Sequence, residues 1–355
     1  MSMTSRERIL MVLQHEEPDR VPIHDAPWGT TIARWRKEGL PPDQDISSYF
    51  GYEMAAQGAD TSLQLPHKTL DETDEYTIVR NANGALIRNW KHQTSTPEML
   101  DFSIKDQKTW EEYKPRMAYN DRRIDWGNGL NHNKAIRDGG KYLSYSGVMG
   151  YDKTQAIVGS ENLLMAMIDY PEWVADMFMS SVEILIETAE EMMARGFVFD
   201  GAFLYDDMGY RNGPLFSPSC YRELLFPAHK RVCDFFKSKG MPIILHSCGG
   251  VRPLVPYLVE AGFTCLQPLE VKSGMDVIEL KRNFGDVLAF MGGIDVRKMA
   301  AEDEREIEEE IRTKISVAKV GGGYIYHSDH SVPDNVSFQR YCRVMELVHE
   351  YGKYC

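Results

Sequence analysis

The sequence Pro242-Ile-Ile-Leu-His-Ser-Cys-Gly-Gly250 decides how the rest of the chain is interpreted. Its apolar residues predict a buried β-strand, and its two glycines allow the sharp turn that ends the strand. Similar apolar runs recur from about residue 140 onward, each separated from the next by a helical pattern. The predicted strands are Tyr142–Met149, Gly201–Tyr205, Pro242–His246, Thr264–Pro268, Leu288–Gly292 and Gly323–His327. Strands that alternate with helices indicate a parallel sheet.

The number of strands favours a barrel over an open sheet. With Val21–His24 near the N-terminus included, the strands approach the eight of a (β/α)8 barrel. A doubly wound sheet would usually carry a glycine-rich dinucleotide turn after an early strand, and this sequence has none. We therefore predict an α/β fold in which residues 1–355 form a single (β/α)8 TIM barrel.

The N-terminal part of the chain departs from this alternation. Residues 4–15 combine a capping box with an apolar face, which predicts a short helix. Thr77–Arg80 and Ala85–Trp90, joined by Asn-Ala-Asn-Gly, predict a hairpin. Residues of about 60–135 therefore read as an insertion over one mouth of the barrel.

Charge and composition exclude several classes of function. Forty basic and 53 acidic residues leave a net charge of −13, which opposes binding to nucleic acid or to an anionic membrane. The polar start lacks the apolar stretch of a signal peptide, and six cysteines are too few and too irregularly spaced for a disulfide framework. We expect a cytoplasmic protein that acts on a small molecule.

Four candidate metal ligands follow the predicted strands, where barrel enzymes place their catalytic groups. His246 and Cys248, two residues apart, can both reach one Zn²⁺ ion, for which imidazole and thiolate are preferred ligands. His330 is a further candidate ligand, and Glu270 is a candidate fourth ligand or general base. The alternative for the His246 pair is a locally hydrogen-bonded histidine beside a small buried cysteine.

The remaining candidate site residues also lie at strand ends. Catalytic roles in positioning substrate or relaying protons are predicted for Asp25, Asp206 and Asp207, although adjacent carboxylates on a strand face opposite ways. Substrate-binding roles are predicted for His24, Tyr205, His327 and Asp329. The alternative for the carboxylates is helix capping or solvation in a loop.

At these residues the sequence resembles the uroporphyrinogen decarboxylase superfamily and, within it, the cobalamin-dependent methyltransferase branch. The segment from Ser5 to Pro22 is similar to the N-terminal signature of that branch, and His246–Gly250, Met291–Asp295 and Gly321–Pro333 match in order. True decarboxylases carry an arginine-rich segment after the first strand that grips tetrapyrrole carboxylates. The corresponding segment here, Pro27–Arg36, lacks that motif.

The resemblance implies a zinc site and a corrinoid. His246 and Cys248 match the first two ligands of the branch's H-x-C…C zinc site, and His330 replaces the final cysteine. The chain has no D-x-H-x-x-G motif, so a separate corrinoid protein is the implied partner. The predicted enzyme is a methyltransferase that moves a methyl group between a corrinoid and a methyl ether or thiol.

Two alternatives remain open at this stage. The first is a metal-free decarboxylase that acts on a porphyrinogen or a smaller acid, with roles for His330 and Asp25 rather than Cys248. The second is a non-catalytic barrel that binds a tetrapyrrole or corrinoid. The sequence does not choose between a monomer and a homodimer.

Overall fold

The computed structural model describes residues 3–92 and 96–354. Thirteen strands lie in these two ranges. In chain order they are β1 Met54–Gln57, β2 Lys68–Glu72, β3 Tyr76–Arg80, β4 Ala85–Trp90, β5 Glu98–Phe102, β6 Tyr142–Val148, β7 Gly201–Tyr205, β8 Gly209–Tyr210, β9 Gly213–Pro214, β10 Ile243–His246, β11 Cys265–Gln267, β12 Ala289–Met291 and β13 Tyr324–Ile325.

The α-helices surround the strands of the second half and also precede the first strand. They are α1 Ser5–Leu13, α2 Gly29–Lys37, α3 Ile46–Phe50, α4 Gln107–Tyr113, α5 Asn128–Asp138, α6 Gly150–Val158, α7 Ser160–Asp169, α8 Pro171–Ala194, α9 Pro218–Cys220, α10 Phe226–Ser238, α11 Val255–Ala261, α12 Val277–Phe284, α13 Val296–Met299, α14 Glu304–Ala318 and α15 Phe338–Tyr351. A π-helical segment, Tyr221–Leu225, joins α9 to α10. In the described residues, no helix is long and apolar enough to cross a membrane.

Seven strands form one parallel sheet in the order β1-β6-β7-β10-β11-β12-β13. Each strand therefore lies beside the next one along the chain in this sheet, as in a TIM barrel. The six strands predicted after residue 140 are all present, with ends that move by two residues at most. The predicted α/β class and barrel-like sheet are confirmed.

The sequence analysis was wrong in one detail of the barrel, the strand Val21–His24. This segment lies between the two edge strands but is joined to Tyr326 only by an isolated parallel bridge at Ile23. The His24 N–H donates to the Tyr326 carbonyl at 3.1 Å, and the Ile23 carbonyl accepts from the Glu53 N–H at 2.9 Å. The segment occupies the place of an eighth strand without the regular pairing of one.

Side-chain alternation separates the barrel interior from the layer beneath the helices. Ile244 belongs to the interior cluster, whereas its neighbours Ile243 and Leu245 belong to the larger outer core. The strands fill the interior with Met54, Tyr142, Phe203, Ile244, Cys265, Ala289, Met291 and Ile325. Helix α1 adds three buried apolar residues to the same cluster, each of which contributes about 1.5–3 kcal/mol by leaving water.

The predicted hairpin is part of a separate antiparallel sheet in the order β2-β3-β4-β5. Strands β3 and β4 form the hairpin, with Val79 opposite Ile87. The Phe102 ring at the end of β5 packs against Gly159, between α6 and α7, where a Cβ would lie 2.6 Å from the ring. A glycine with φ of +85° therefore lets this sheet approach the helices closely.

Candidate metal centre and active site

The carboxyl ends of three neighbouring strands place aromatic and polar side chains in one row. Tyr205 pairs with His246, and His246 pairs with Gln267, in parallel register. All three side chains have the same alternation as the interior residues Phe203, Ile244 and Cys265. They consequently point into the barrel just above its apolar interior, and the Tyr205 and His246 ring centroids are 4.9 Å apart.

A cavity of about 300 Å³ opens above this row. One wall of the cavity, formed by Met54, Ala55, Ala56, Ser144 and Phe203, is apolar except for Ser144. The lining residues are His24, Ala26, Met54, Ala55, Ala56, Ser144, Phe203, Tyr205, His246, Cys248, Gln267, Pro268, His327, His330 and Ser331. The described lining contains neither lysine nor arginine, so the cavity does not offer the cations that a highly carboxylated ligand requires.

Cys248 is the residue around which the candidate ligands gather. Its Sγ lies 3.3 Å from His246 Nε2, close to the roughly 3.5 Å between a sulfur and a nitrogen bound tetrahedrally to one zinc. The Cys248 N–H donates to Asp207 Oδ1 at 2.8 Å, and the same carboxylate lies 3.4 Å from His246 Nε2. Burial and the charges of Asp207 and Glu270 raise the pKa of the Cys248 thiol.

The potential ligands form two groups in the described part of the chain, and both contain Cys248. Ligand atoms of Asp207, His246 and Cys248 all lie within 4.8 Å of one another, and so do those of Cys248, Glu270 and His330. The structure thus brings Glu270 and His330 to the same sulfur, but in a different group from His246. It also adds Asp207, which the sequence analysis assigned to proton transfer or substrate positioning. A nitrogen, sulfur and oxygen donor set of this kind suits Zn²⁺.

Gln267 is a site residue that the sequence analysis missed. Its side-chain oxygen accepts a hydrogen bond from His246 Nδ1, and its nitrogen lies 3.4 Å from His327 Nε2. The first bond places the proton on Nδ1 and leaves His246 Nε2 free to bind a metal, as in many metal sites. The signal in the sequence was alternation: Gln267 is two residues after Cys265 and therefore faces the same side of β11.

Of the adjacent residues His24 and Asp25, only the histidine lines the cavity. His24 Nδ1 is buried and has no hydrogen-bond partner among the described residues. Burial, with a smaller contribution from His327, lowers the pKa of His24 to about 3. The His24 imidazole is therefore neutral near pH 7 where it lines the cavity.

Asp25 instead belongs to a closed network behind the cavity wall, which we call the Asp25 network: Asp25, Tyr52, Tyr326, Ser328 and Tyr341. Asp25 Oδ2 accepts from the hydroxyls of Tyr341 at 2.9 Å and Tyr326 at 3.2 Å. Its Oδ1 accepts from the Ser328 hydroxyl at 2.5 Å, and Tyr52 and Tyr341 hydroxyls are 2.6 Å apart. This geometry corrects the expectation that Asp25 reaches the mouth, because its oxygens already have partners.

Asp206 and Asp207 also separate, as alternation requires. Asp206 is fully buried and faces away from the cavity, where its Oδ2 accepts from His229 Nε2 at 2.7 Å. Its Oδ1 accepts from the Asp152 N–H at 2.8 Å, and burial raises the pKa of the Asp206 carboxyl. The structure therefore places Asp207, and not Asp206, beside the candidate metal ligands.

The loop after β13 contains residues that line the cavity and a residue that instead bonds to neighbouring loops. His327 and His330 line the cavity, and His327 Nδ1 donates to the Ser328 carbonyl at 2.6 Å. Asp329 faces away and accepts from the Val271 N–H at 2.9 Å and the Val296 N–H at 3.0 Å. Asp329 thus ties three loops together, which corrects the expectation that it contacts substrate.

Together, a barrel-like parallel sheet and a cluster of polar donors at its carboxyl edge are typical of enzyme barrels, which place their catalytic groups at that edge. The model of the family Uroporphyrinogen decarboxylase (URO-D) matches residues 154–351, more than half of the chain. The chain therefore belongs to the uroporphyrinogen decarboxylase family, as the sequence motifs predicted.

Two methyltransferases from Methanosarcina mazei are similar to this chain. A methylated-thiol–coenzyme M methyltransferase is 32% identical over 82 residues, a match that spans 23% of this chain and 20% of that relative. The solved structure of a methyltransferase has a TM-score of 0.69 at 16% identity and covers 99% of both chains. The first likeness agrees with the predicted methyltransferase branch, and the second shows that the whole fold is shared.

Proposed function

We propose that this protein is a zinc-dependent methyltransferase that moves a methyl group between a small substrate and a corrinoid carried by a partner protein. The observation that carries the proposal is the convergence of two donor groups on the Cys248 sulfur, at the mouth of a barrel-like sheet. The similarity to methyltransferases supports the reaction class. The corrinoid partner rests on the resemblance to the cobalamin-dependent branch.

The residues present fit a zinc ion. Cys248 is the common ligand, His246 offers Nε2, and Glu270, His330 and Asp207 supply the remaining candidate donors. When bound, zinc supplies a Lewis acid that polarises a methylated heteroatom or holds a substrate thiol as thiolate. The choice between a methyl ether donor and a thiol acceptor is left to experiment.

The chain's own residues prepare the site in three ways. Gln267 holds the His246 proton on Nδ1, and the Cys248 N–H holds Asp207 beside the cluster. Met54 and Phe203 give the cavity an apolar wall suited to a methyl group. His24 and Tyr205 line the same cavity and are proposed to contact the substrate.

The decarboxylase alternative is disfavoured by the same cavity. A porphyrinogen substrate carries many carboxylates, and the described lining has no lysine or arginine to pair with them. The arginine-rich segment of true decarboxylases is also absent from the sequence.

A spectroscopic assay with free cobalamin tests the proposal without the partner protein. Zinc-loaded protein is mixed with cob(I)alamin and methoxyarenes or methyl thioethers, and in the reverse assay with methylcobalamin and thiols. We expect protein-dependent methyl transfer in at least one direction, lost in Cys248→Ala and kept in Cys342→Ala, a cysteine on α15. Decarboxylation of uroporphyrinogen by metal-free protein would contradict the proposal, as would corrinoid binding without transfer in either direction.

A further inference from the structure

A second and larger cavity lies next to the metal cluster, outside the barrel mouth. It is a groove of about 730 Å³ between β5 and helices α6 and α7. Its apolar lining includes Met99, Phe102, Val158 and Met165. We call this cavity the β5–α7 groove. Its volume lies in the range typical of small-molecule sites.

Hydrogen bonds and one ring contact join the walls of the groove to one another. The Phe102 ring packs against Gly159 at the junction of α6 and α7. The Asn162 amide on α7 donates to the Lys105 carbonyl, just after β5, at 3.1 Å. The Tyr151 and Ser160 hydroxyls, 2.7 Å apart, join α6 to α7.

Asp207 connects the groove to the metal cluster. Its carboxylate is part of the groove lining, while its Oδ1 accepts from the Cys248 N–H at 2.8 Å. A molecule that reaches the Asp207 end of the groove therefore lies beside the candidate metal ligands. The cavity above the strand row, at about 300 Å³, is less than half as large and suits the reacting end of a substrate.

The charge of the groove restricts what it can hold. Asp152, Glu161 and Asp207 line it, and its described lining contains no lysine, arginine or histidine. Burial raises the pKa of Asp152 to about 7, so this carboxyl is only partly ionised at neutral pH. Like charges oppose an anionic ligand, and the net charge of −13 adds to that repulsion at longer range. An apolar surface with carboxylates at its edge suits a neutral or cationic organic group.

We propose that the β5–α7 groove binds the apolar, uncharged or cationic body of the methylated substrate, while the methylated end reaches Cys248. This inference rests on the proposed function and narrows its substrate class. It excludes substrates whose non-reacting body is a carboxylate or a phosphate. It also predicts that substrates larger than a one-carbon donor bind more tightly, because their bodies bury apolar surface in the groove.

Three matched methoxyarenes test the charge preference by calorimetry on the zinc-loaded protein. They are 4-methoxyphenyl-trimethylammonium, 4-methoxytoluene and 4-methoxybenzoate. We expect the cationic and neutral compounds to bind about tenfold or more tightly than the anionic one. Equal affinity for all three, or no binding of any, would overturn the inference.

A pair of lysine substitutions on α7 localises the effect. Met165→Lys places a cation in the groove, and Ile168→Lys places one on the same helix outside it; these side chains are 54% and 76% exposed, so both variants should fold. We expect Met165→Lys to lower the affinity for the cationic compound about fivefold and Ile168→Lys to leave that affinity unchanged. Identical affinities in the two variants would contradict the groove as the binding site.

These affinities need no turnover, so the two proposals fail separately. Charge-selective binding without methyl transfer would contradict the proposed methyltransferase function but would still support the groove as a binding site. Methyl transfer from a one-carbon donor such as methanol, with no charge selectivity among the arenes, would support the methyltransferase function but contradict the groove as the binding site.

Discussion

The cluster around Cys248 and the Asp25 network lie at the same edge of the sheet, yet they are built differently. In the Asp25 network, hydroxyl and N–H donors from several segments converge on one buried carboxylate. Around Cys248, by contrast, several acceptor atoms converge on one sulfur, and the described cavity lining contains histidines but neither lysine nor arginine. The first arrangement is complete by itself, whereas we propose that the second is completed by a zinc ion. Density of titratable residues therefore does not identify a site; the balance of donors and acceptors does.

The largest effect is expected in the closed network. Asp25→Ala removes the buried carboxylate that accepts from the hydroxyls of Tyr326, Tyr341 and Ser328, and we expect a loss of about 3–5 kcal/mol in the free energy of unfolding. Tyr341→Phe, which removes one donor, should cost only about 1 kcal/mol. Denaturant unfolding measures both, and a loss below 1 kcal/mol in Asp25→Ala would show that the network is not structural.

The opposite pattern is expected at the sulfur. Cys248→Ala should lower zinc affinity by about 100- to 1000-fold, because it removes a ligand itself and not merely a residue that hydrogen-bonds to a ligand. It should change the free energy of unfolding of the metal-free protein by no more than about 1 kcal/mol. Cys342→Ala is the matched cysteine control. Competition with a zinc chelator measures the affinity. Unchanged affinity in Cys248→Ala would place the metal elsewhere.

Gln267 offers a graded test of the same cluster. Gln267→Ala frees His246 to rotate and to change tautomer, and we expect zinc affinity to fall about 10- to 100-fold. Ser144→Ala provides the control, because Ser144 lines the same cavity but its hydroxyl donates to the Ala55 carbonyl. Equal effects of the two substitutions would mean that Gln267 does not position the histidine.

The smallest effect concerns His24, which lines the cavity and contacts the Tyr52 ring of the Asp25 network. Its folded-state pKa of about 3 lies below the unfolded value of about 6.5, so the unfolded chain binds the proton first. Stability should therefore fall as pH falls from 6.5 towards 3. Between pH 7 and 5.5, protonation of this histidine should lower the free energy of unfolding by about 1 kcal/mol. The measurement compares this pH dependence in wild type and in His24→Gln. The exposed His132→Gln should follow the wild type.

Much of the fold was predictable because apolar runs in strands and capping or turn residues at the ends of elements are local signals in the sequence. Gly201–Tyr205 was predicted to the residue, and the capping box at Thr4 marked the start of α1. Strand β1 was missed because only four residues, Met54–Gln57, pair there. Proline also acts as a local signal, because Pro171 begins α8 directly after the end of α7.

The candidate site was predictable in composition but not in pairing. Strand ends located His246, Cys248, Glu270 and His330 correctly at one mouth. Which neighbour faces inward depends on the register of each strand, and a shift of one residue exchanges the two faces. That dependence accounts for Asp25, which faces the outer layer. Gln267 was missed because an amide carries no catalytic signal by itself, and its role arises from its position between two histidines.

The proposed zinc site is tested most directly by X-ray absorption at the zinc edge of protein reconstituted with one equivalent of zinc. The account predicts one sulfur neighbour at about 2.3 Å and two or three nitrogen or oxygen neighbours at about 2.0–2.2 Å, with the sulfur lost in Cys248→Ala. A zinc shell without sulfur in the wild type, or no bound zinc at all, would contradict it.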